Sequence, residues 1–372
     1  MPKIKILGLM SGTSADGLSI ALCEAAGRGL KVLKFSNYPY PAALQAGIIA
    51  APRLKAPELS KLNFELGRLW AGLVKRFCRT HKVPYKSLAV IGSHGQTVWH
   101  APGRSGHTLQ LGEASFIAEE TGRPVVCDFR PADMAAGGEG APLIPFMDEY
   151  LFGAGSPTAL QNIGGVGNIA FVGKGVRTFG FDTGPGNSLM DTAVAAISGG
   201  RLAYDKGGRW AAAGAPDVPK VYSLLEAPFF SRRPPKSLDR NQFSLAFLKK
   251  HFPGQLNRKR APDLLATLNL FTAASIALAF KSRAPRGTRE LLVSGGGALN
   301  PVLMDNLAAL LLPAGVRVRS VAELGLHPLA KEPACFALLA WLALEGRANH
   351  CPSATGARGA RVLGKLIFVK PR

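Results

Sequence analysis

Cysteine is scarce in this chain, and the few cysteines that occur are not arranged as pairs. The five are Cys23, Cys78, Cys127, Cys335 and Cys351. They include no Cys-x-x-Cys spacing, and their number is odd. Both features argue against a disulfide framework and against a zinc ribbon. This use of cysteine fits a reducing cytoplasm.

Long uninterrupted apolar runs are also missing. The apolar stretch before Ser11 is too short for the core of a secretory signal. The most apolar long stretch, 264–280, is interrupted by Thr267, Asn269, Thr272 and Ser275. It therefore lacks the ~20 apolar residues of a membrane span. We expect no export signal and no membrane partner, and we predict a buried helix over 264–280.

Acidic residues are few. The chain has 24 Asp and Glu against 45 Lys and Arg, a net charge of +21, which suits anionic ligands. Ten basic residues and only two acids lie between Lys220 and Arg260, a proline-containing segment that predicts a loop-rich basic insertion at about 220–260. One hypothesis is a nucleic-acid-binding protein with a degenerate site. The segment lacks interleaved aromatic residues and any recognised module, so we expect a solvated surface and no nucleic acid partner.

The 372 residues are 47% apolar and 19% charged, a composition typical of a globular protein with two domains. Each half opens with a three-stranded meander, and helices alternate with short strands after it. The predicted strands are 3–10, 18–24 and 30–38 in the first half, and 158–163, 168–172 and 176–181 in the second. This duplication predicts two similar α/β domains: 1–130 with about 346–372, and 131–345.

The turn after the first strand, Gly8 to Gly17, combines glycines, three hydroxyls and the carboxylate of Asp16. Such a turn can cradle phosphate and a hydrated metal. A plain hairpin turn is the alternative, and the three hydroxyls favour the phosphate loop. The second meander has a glycine turn at 164–167. Its GxGxxA pattern leads into a strand rather than a helix, which excludes a dinucleotide fingerprint and favours a second phosphate loop.

Asp182 comes at the end of a predicted strand, before Gly184-Pro185-Gly186. A general base and a turn-forming aspartate are equally supported there. The triplet 295–297 follows another predicted strand, 290–294. It permits close approach of a flat ligand, and a tight turn explains it equally well.

The run 93–100, Ser-His-Gly-Gln-Thr-Val-Trp-His, follows a predicted strand and is typical of a sugar-binding edge. Metal binding by His94, His100 and His107 is the weaker hypothesis, because neither a carboxylate nor a cysteine stands at ligand spacing. The chain contains no GxxxxGK[ST] pattern, which excludes a P-loop kinase.

With these motifs in place, the chain resembles the anhydro-N-acetylmuramic acid kinases over nearly its whole length. The matching segments are 8–17, 92–100, 107–112, 137–145, 162–168, 182–187, 204–206, 235–237, 294–300 and 352–356. The resemblance implies an α/β fold of two ribonuclease H-like domains around an ATP cleft, as in actin, sugar kinases and heat-shock chaperone ATPases. It also implies a cytoplasmic enzyme that uses ATP and Mg²⁺. Such an enzyme opens the 1,6-anhydro ring of its sugar and phosphorylates O6 during peptidoglycan recycling.

Site residues follow from the motifs and the resemblance together. Asp182 matches the catalytic base, and Arg130 is expected to recognise the lactyl carboxylate of the sugar. Residues expected to bind ATP are Gly12, Thr13, Ser14, Ala15, Asp16, Gly17, Leu18, Ser19, Gly164, Gly165, Gly295, Gly296 and Gly297. Residues expected to bind the sugar are His94, Gln96, Thr97, Arg130, Thr183 and Glu332. No metal ligands are assigned.

The chain departs from the family pattern at Ala15, Ser19, Glu139, Leu329 and Pro333. These positions bear on how Mg²⁺ and its waters are held and on how the rim near Glu332 meets the sugar. A different sugar kinase of the same fold, acting on a free hexosamine, is the rival hypothesis. The expected partners are the sugar and ATP, and a homodimer is a further expectation.

Overall fold

The computed structural model describes residues 3–103, 105–234, 236, 238 and 243–369. The predicted meanders are present with small shifts in their bounds. In chain order, the strands within the described residues are β1 (Ile4–Ser11), β2 (Gly17–Ala26), β3 (Gly29–Pro39), β4 (Leu88–Ala101), β5 (His107–Leu111), β6 (Val125–Cys127), β7 (Thr158–Ile163), β8 (Val166–Val172), β9 (Phe179–Pro185), β10 (Glu290–Ser294), β11 (Arg317–Ser320) and β12 (Lys365–Ile367).

Helices occupy most of the segments between these strands. Within the described residues the α-helices are α1 (Ala42–Ala50), α2 (Ala56–Thr80), α3 (Ser115–Thr121), α4 (Arg130–Ala135), α5 (Ile144–Phe152), α6 (Ser188–Ser198), α7 (Arg209–Ala212), α8 (Val218–Leu225), α9 (Pro228–Ser231), α10 (Leu245–His251), α11 (Ala261–Arg283), α12 (Pro301–Leu311), α13 (Lys331–Leu344) and α14 (Pro352–Thr355). Short 3₁₀ turns lie at Ala51–Arg53, Tyr85–Ser87, Lys206–Gly208, Gly296–Leu299, Leu312–Ala314, Val321–Leu324 and Pro328–Ala330.

The chain forms two compact units. The first comprises Met1–Leu151 and Gly325–Arg372, and the second comprises Phe152–Leu324. The prediction divided the chain instead after 130 and at about 346. Much of the difference comes from α13, which packs on β1, β2 and β4 of the first unit. Its buried apolar residues share a core with Ile6 and Val90, so a helix late in the chain completes the first unit.

The sheet of the first unit has the order β12-β6-β4-β1-β2-β3, and β5 pairs with β4. β2 is antiparallel to both of its neighbours, β1 and β3. β4 is parallel to β1, and β6 is parallel to β4. A meander followed by two parallel crossover strands is the ribonuclease H-like order, so the predicted fold is confirmed for this unit.

The sheet of the second unit has the order β11-β10-β7-β8-β9. β8 is antiparallel to β7 and β9, β10 is parallel to β7, and β11 is parallel to β10. This order repeats the β6-β4-β1-β2-β3 part of the sheet in the first unit. The duplication expected from the two meanders is therefore confirmed.

Two glycines allow α13 to pack closely against the sheet of the first unit. Gly8 of β1 pairs with Gly92 of β4. A Cβ atom on Gly8 would lie 1.8 Å from the Pro333 carbonyl oxygen, and one on Gly92 would lie 2.1 Å from that of Phe336. Because these obstacles are backbone atoms, a side chain at either position would displace the helix.

We therefore expect Gly92→Ala to lower the stability of the protein by about 1–3 kcal/mol, the usual cost of overpacking a core. Gly72→Ala is the control, because Gly72 lies inside α2 with nothing within 4 Å of its added Cβ. Alanine is favoured over glycine in a helix by about 1 kcal/mol, so this variant should be more stable. Thermal unfolding of both variants tests the packing, and equal melting temperatures would contradict it.

The second unit is built around α11, and the predicted buried helix over 264–280 is confirmed. Leu264, Leu268 and Phe271 on this helix are fully buried. The segment 220–260 is less loop-rich than predicted, because it contains the end of α8 together with α9 and α10. Buried apolar residues on these short helices, among them Val221 and Leu248, join the core of α11.

Candidate functional site

A chain of buried hydrogen bonds holds the start of the first glycine turn. Trp70 Nε1 donates to the Tyr40 hydroxyl (2.8 Å), which donates to Ser11 Oγ (3.1 Å). Ser11 Oγ in turn donates to Gln96 Oε1 (2.6 Å), and Gln96 Nε2 donates to the Gly12 carbonyl (3.0 Å). Both ends of the Gln96 amide are therefore engaged inside the first unit. Gln96, predicted to bind sugar, here positions the turn.

The turn presents polar groups at its tip and buries its base. Thr13, Ser14 and Asp16 are exposed, whereas Ala15 is fully buried with a positive φ of 51°. The Ala15 N–H donates to the Gly12 carbonyl at 3.0 Å, which closes the turn. A Cβ on Gly17 would lie 2.5 Å from the Tyr38 carbonyl oxygen. Of the other residues predicted to bind ATP here, Leu18 is buried and Ser19 Oγ donates to Asn37 Oδ1 (3.1 Å).

Three of the residues predicted to bind sugar lie together in the first unit. Arg130 begins α4 and donates from Nη2 to His94 Nε2 at 2.8 Å. The His94 ring lies 4.5 Å, between centroids, from Phe336 on α13. Glu332 lies one turn before Phe336 on that helix, and its charge acts on Arg130. The sequence therefore identified residues that the fold brings into one cluster from β4, α4 and α13.

The protonation of this cluster follows from its hydrogen bonds. A guanidinium only donates, so His94 Nε2 accepts, and Nδ1 carries the proton and donates to the Gly95 carbonyl at 2.8 Å. Burial, with the charge of Arg130, lowers the pKa of His94 to about 3. Burial also lowers the pKa of Arg130 to about 10. At neutral pH the pair is therefore a neutral imidazole beside a guanidinium cation.

The guanidinium of Arg130 keeps donors beyond these contacts. Nη1 donates to the Gly140 carbonyl at 2.7 Å. Nε is buried and has no hydrogen-bond partner within the described residues. A buried donor without a partner is costly in a folded protein. Nη1 and Nη2 each carry a second N–H, which suits an acceptor such as a carboxylate oxygen.

The segment 93–100 differs from its prediction. It was expected to follow a strand, but it continues β4, because residues 96–101 pair with β5. Thr97 Oγ1 accepts a hydrogen bond from Gln110 Nε2 at 3.4 Å. A pocket of about 300 Å³ in this unit is lined by Thr13, Ile48, Ile49, Pro52, Gln96, Thr97, Val98, Trp99 and His100. Residues predicted to bind ATP and sugar thus meet at one pocket.

The second unit carries the other glycine turn, between β7 and β8. The N–H groups of Gly186 and Asn187, just before α6, donate to the carbonyls of Gly165 (2.9 Å) and Gly164 (2.7 Å). A Cβ on Gly164 or Gly165 would meet its nearest atoms only at 3.8 or 4.0 Å. The protein itself therefore does not require glycine at either position for space.

We expect Gly165→Ala to raise the KM for ATP about tenfold without lowering the melting temperature. The added methyl group has room in the protein, so it should act only on a phosphate that approaches the backbone. Gly155→Ala is the control, since Gly155 is an exposed turn residue of the same unit with its nearest atom at 3.5 Å. Equal KM values for the two variants would remove Gly165 from the nucleotide site.

Asp182 lies within β9, paired with Asn168 of β8, rather than after the end of a strand. Its Oδ2 accepts a hydrogen bond from the Leu238 N–H at 2.8 Å, and Oδ1 has no partner within the described residues. Burial raises its pKa, while the Leu238 contact and the charge of Lys236 act in the opposite direction. A strand carboxylate of raised pKa with one unused oxygen fits a base better than a turn former.

Sequence reasoning did not identify the surroundings of Asp182. Lys236 is 6% exposed, and its Nζ donates to the Phe229 carbonyl at 3.2 Å. Its backbone carbonyl accepts the Asp182 N–H at 3.1 Å. A signal was present, because Lys236 lies in the family-matching segment 235–237, but the sequence assigned this lysine no role. Of its neighbours, 235, 237 and 239–242 lie outside the described residues.

The remaining residues that were predicted to bind ATP or the sugar pack within the second unit. Thr183 is fully buried, and its Oγ1 accepts from Gln161 Nε2 at 3.3 Å. A Cβ on Gly295 or Gly297 would lie 2.5 or 2.3 Å from atoms of Ile163, so a tight turn alone explains these two glycines. At Gly296 the nearest atom is Asn187 Nδ2, at 3.2 Å.

The donor set tests whether the chain can hold a metal ion. Within the part of the chain that the structure describes, no group of three or more His, Cys, Asp or Glu residues could hold one. His100 bonds to Thr108, and His107 accepts from Trp99, so the weaker histidine-metal hypothesis is not supported. Asp16 is an exposed carboxylate beside two hydroxyls. It fits a Mg²⁺ ion held by one carboxylate, waters and nucleotide phosphates.

A sequence model of the family Anhydro-N-acetylmuramic acid kinase matches residues 4–369. The chain is 41% identical over 368 residues to the anhydro-N-acetylmuramic acid kinase of Pseudomonas paraeruginosa (strain DSM 24068 / PA7), covering 97% of this chain and 98% of that protein. It is 40% identical over 373 residues to that of Variovorax paradoxus (strain S110), with the same coverage. Among solved structures, a ROK family glucokinase from Streptomyces griseus in complex with glucose and AMPPNP aligns with a TM-score of 0.38 and 13% identity, over 91% of this chain and 99% of that chain.

The resemblance inferred from the motifs is confirmed, and the rival hypothesis of another sugar kinase is not favoured. The match runs through both units and includes the two glycine turns, the Arg130 cluster and Asp182. The chain therefore belongs to the anhydro-N-acetylmuramic acid kinase family.

Proposed function

We propose that this protein is an ATP-dependent kinase that opens the 1,6-anhydro ring of anhydro-N-acetylmuramic acid with water and phosphorylates O6. The product is N-acetylmuramic acid 6-phosphate, and the process is the recycling of cell-wall peptidoglycan. Family membership over residues 4–369 supports the reaction class. The observation that carries the proposal is Asp182 in β9, a carboxylate of raised pKa whose Oδ2 accepts the Leu238 N–H and whose Oδ1 has no partner within the described residues.

In this proposal Asp182 is the general base. Water is a poor nucleophile at neutral pH and needs to lose a proton as it attacks the anomeric carbon. The water oxygen bonds to C1, the C1–O6 bond breaks, and O6 takes the γ-phosphoryl group of ATP, with ADP as the leaving group. Asp182 accepts the water proton through Oδ1, while the Leu238 N–H holds Oδ2. The raised pKa makes the Asp182 carboxylate a stronger base than an ordinary aspartate.

Arg130 recognises the lactyl carboxylate of the sugar. Its guanidinium offers a planar fork suited to a carboxylate, and Nη1 and Nη2 each carry a second N–H besides those that bond to Gly140 and His94. Neutral His94 holds Nη2 and adds no competing charge. Gln96 fixes the turn that begins at Gly12, while Thr97 and Thr13 contribute to the pocket of the first unit.

The turns at 12–19 and 164–165 take the phosphates of ATP. Phosphoryl transfer depends on positioning and on charge neutralisation, which glycine N–H groups and hydroxyls can supply. A Mg²⁺ ion, when bound, neutralises charge that develops on the phosphates, and Asp16 is the residue of the first turn that would hold it. The basic excess draws ATP and the anionic sugar.

We place the reaction in the cytoplasm, where ATP is available. The free cysteines fit this compartment, since Cys23, Cys78, Cys335 and Cys351 are buried as free thiols. Thiols of this kind persist under reducing conditions.

One experiment tests the reaction as a whole. The protein is incubated with anhydro-N-acetylmuramic acid, ATP and Mg²⁺ in ¹⁸O-labelled water, and the products are analysed by mass spectrometry. We expect the label at C1 and phosphate at O6. The matched control uses free N-acetylmuramic acid as the acceptor, with the ring already open. Phosphorylation of the free sugar alone would contradict the proposed function.

A further inference from the structure

A buried carboxylate holds the loop that contacts Arg130. Asp133 lies one helical turn after Arg130 on α4 and is fully buried. Its Oδ2 accepts the Gly140 N–H at 2.8 Å, and the carbonyl of the same glycine accepts from Arg130 Nη1 at 2.7 Å. Gly140 therefore joins the carboxylate to the guanidinium.

The other oxygen of Asp133 is held from near the end of the chain. Oδ1 accepts hydrogen bonds from His350 Nδ1 and from Thr355 Oγ1, both at 2.7 Å. His350 Nε2 accepts the Arg361 N–H at 2.8 Å, so the ring proton is on Nδ1 and points to Asp133. The direction of both hydrogen bonds is therefore determined. His350 donates through Nδ1 because its Nε2 accepts from Arg361, and the Thr355 hydroxyl donates because a carboxylate only accepts.

The loop from Gly137 to Gly140 is packed directly on this carboxylate. A Cβ on Gly138 would lie 2.2 Å from Asp133 Oδ2. The Glu139 N–H also donates to the Thr355 carbonyl at 2.8 Å. The contact with α14 therefore determines the position of the loop. The loop in turn determines the position of the Gly140 carbonyl, which accepts the hydrogen bond from Arg130.

We propose that Asp133, held by His350 and Thr355, is a positioning residue that orients the Arg130 guanidinium toward the carboxylate of the sugar. This inference rests on the proposed function of Arg130 and extends it to residues more than 200 positions away in the chain. Arg130 Nε has no partner among the described residues, so its direction depends on the contacts that Nη1 and Nη2 make with Gly140 and His94. A shift of the loop would rotate the plane of the Arg130 guanidinium and weaken its two hydrogen bonds to the carboxylate of the sugar.

The test compares two substitutions at Thr355 with one at Asp133. Thr355→Val keeps the shape and removes the hydroxyl donor, and we expect it to raise the KM for anhydro-N-acetylmuramic acid about three- to tenfold. The KM for ATP and kcat should stay unchanged, and Thr355→Ser, which keeps the hydroxyl, should restore the wild-type KM. Asp133→Asn should have a larger effect, because its NH₂ group must face another donor.

Asn349→Ser is the matched structural control. Asn349 is fully buried in the same C-terminal segment and bonds to the backbone of Leu339 and Leu363, without touching the loop at 137–140. It should lower the melting temperature without a selective change in the KM for the sugar. Calorimetric binding of the sugar without ATP gives a second readout on protein shown by melting to be folded.

The outcomes separate this inference from the proposed function. Selective loss of sugar affinity in Thr355→Val, restored by Thr355→Ser, supports the positioning role. An active wild-type protein whose Thr355→Val and Asp133→Asn variants keep the wild-type sugar affinity, or change only as Asn349→Ser does, overturns this inference and leaves the function intact. A wild-type protein that neither binds nor phosphorylates the sugar overturns both.

Discussion

Replacing Asp182 with asparagine should lower kcat by about 10²–10⁴-fold, the range expected for loss of a general base. The substitution keeps the shape of the side chain, and its oxygen can still accept the Leu238 N–H. ATP and the sugar should therefore bind with affinities close to those of the wild type. Initial rates and calorimetric binding on the same preparation measure the two effects separately.

The same variant should not lose stability at neutral pH. Burial raises the pKa of Asp182, so folding disfavours the ionised carboxylate. The stability that this group contributes is present at low pH and is lost as the pH rises through its folded pKa. Asparagine is neutral at every pH, so the melting temperature of Asp182→Asn at neutral pH should equal or exceed that of the wild type. A lower melting temperature with normal kcat would show that Asp182 has a structural role and is not the general base.

The pH dependence of kcat/KM gives a further check. Activity should rise with pH through an ionisation above the ordinary range of aspartate, because the base acts only when deprotonated. Asp191, in the first turn of α6, is a second candidate for such a signal, since burial raises its pKa to about 7. Asp191→Asn is the control, and we expect the dependence to persist in it.

Arg130→Ala should raise the KM for anhydro-N-acetylmuramic acid about 10–100-fold and leave the KM for ATP unchanged. Hydrogen bonds to charged groups contribute about 1.5–3 kcal/mol, and about 1.4 kcal/mol corresponds to a factor of ten in affinity. Arg130→Lys keeps the charge but loses the fork, so its KM should lie between those of the wild type and the alanine variant. Steady-state kinetics with each substrate varied in turn provides the measurement.

Arg123→Ala is the matched control for Arg130. Arg123 is a partly buried arginine of the same unit, and its Nε also lacks a partner among the described residues. It lies outside the cluster of His94 and Glu332, so its removal should leave the KM for the sugar unchanged. Because burial lowers the pKa of His94 to about 3, ionisation of this histidine should not change the KM for the sugar between pH 5 and 8. Equal effects at the two arginines would show that packing, not recognition, links Arg130 to affinity.

Local patterns predicted the strands of the two meanders to within a few residues of their observed bounds. β7 and β10 have the predicted bounds, Thr158–Ile163 and Glu290–Ser294, because short apolar runs bounded by turn-forming residues specify buried strands. The prediction was wrong about segment 93–100. Its polar residues look like a loop, and only their pairing with β5, which begins at His107, makes them a strand.

Taken alone, the sequence determined the duplicated meander, the two glycine turns and the family, because each depends on residues that are neighbours in the chain. Only the tertiary structure decided that α13 completes the first unit, that Gln96 holds Gly12, and that Asp133 is bound by His350 and Thr355. The physical reason is that a buried polar atom needs a partner, and the fold can supply that partner from any point in the chain. Asp133 and His350 meet at 2.7 Å across 217 positions, and no local pattern records that pairing.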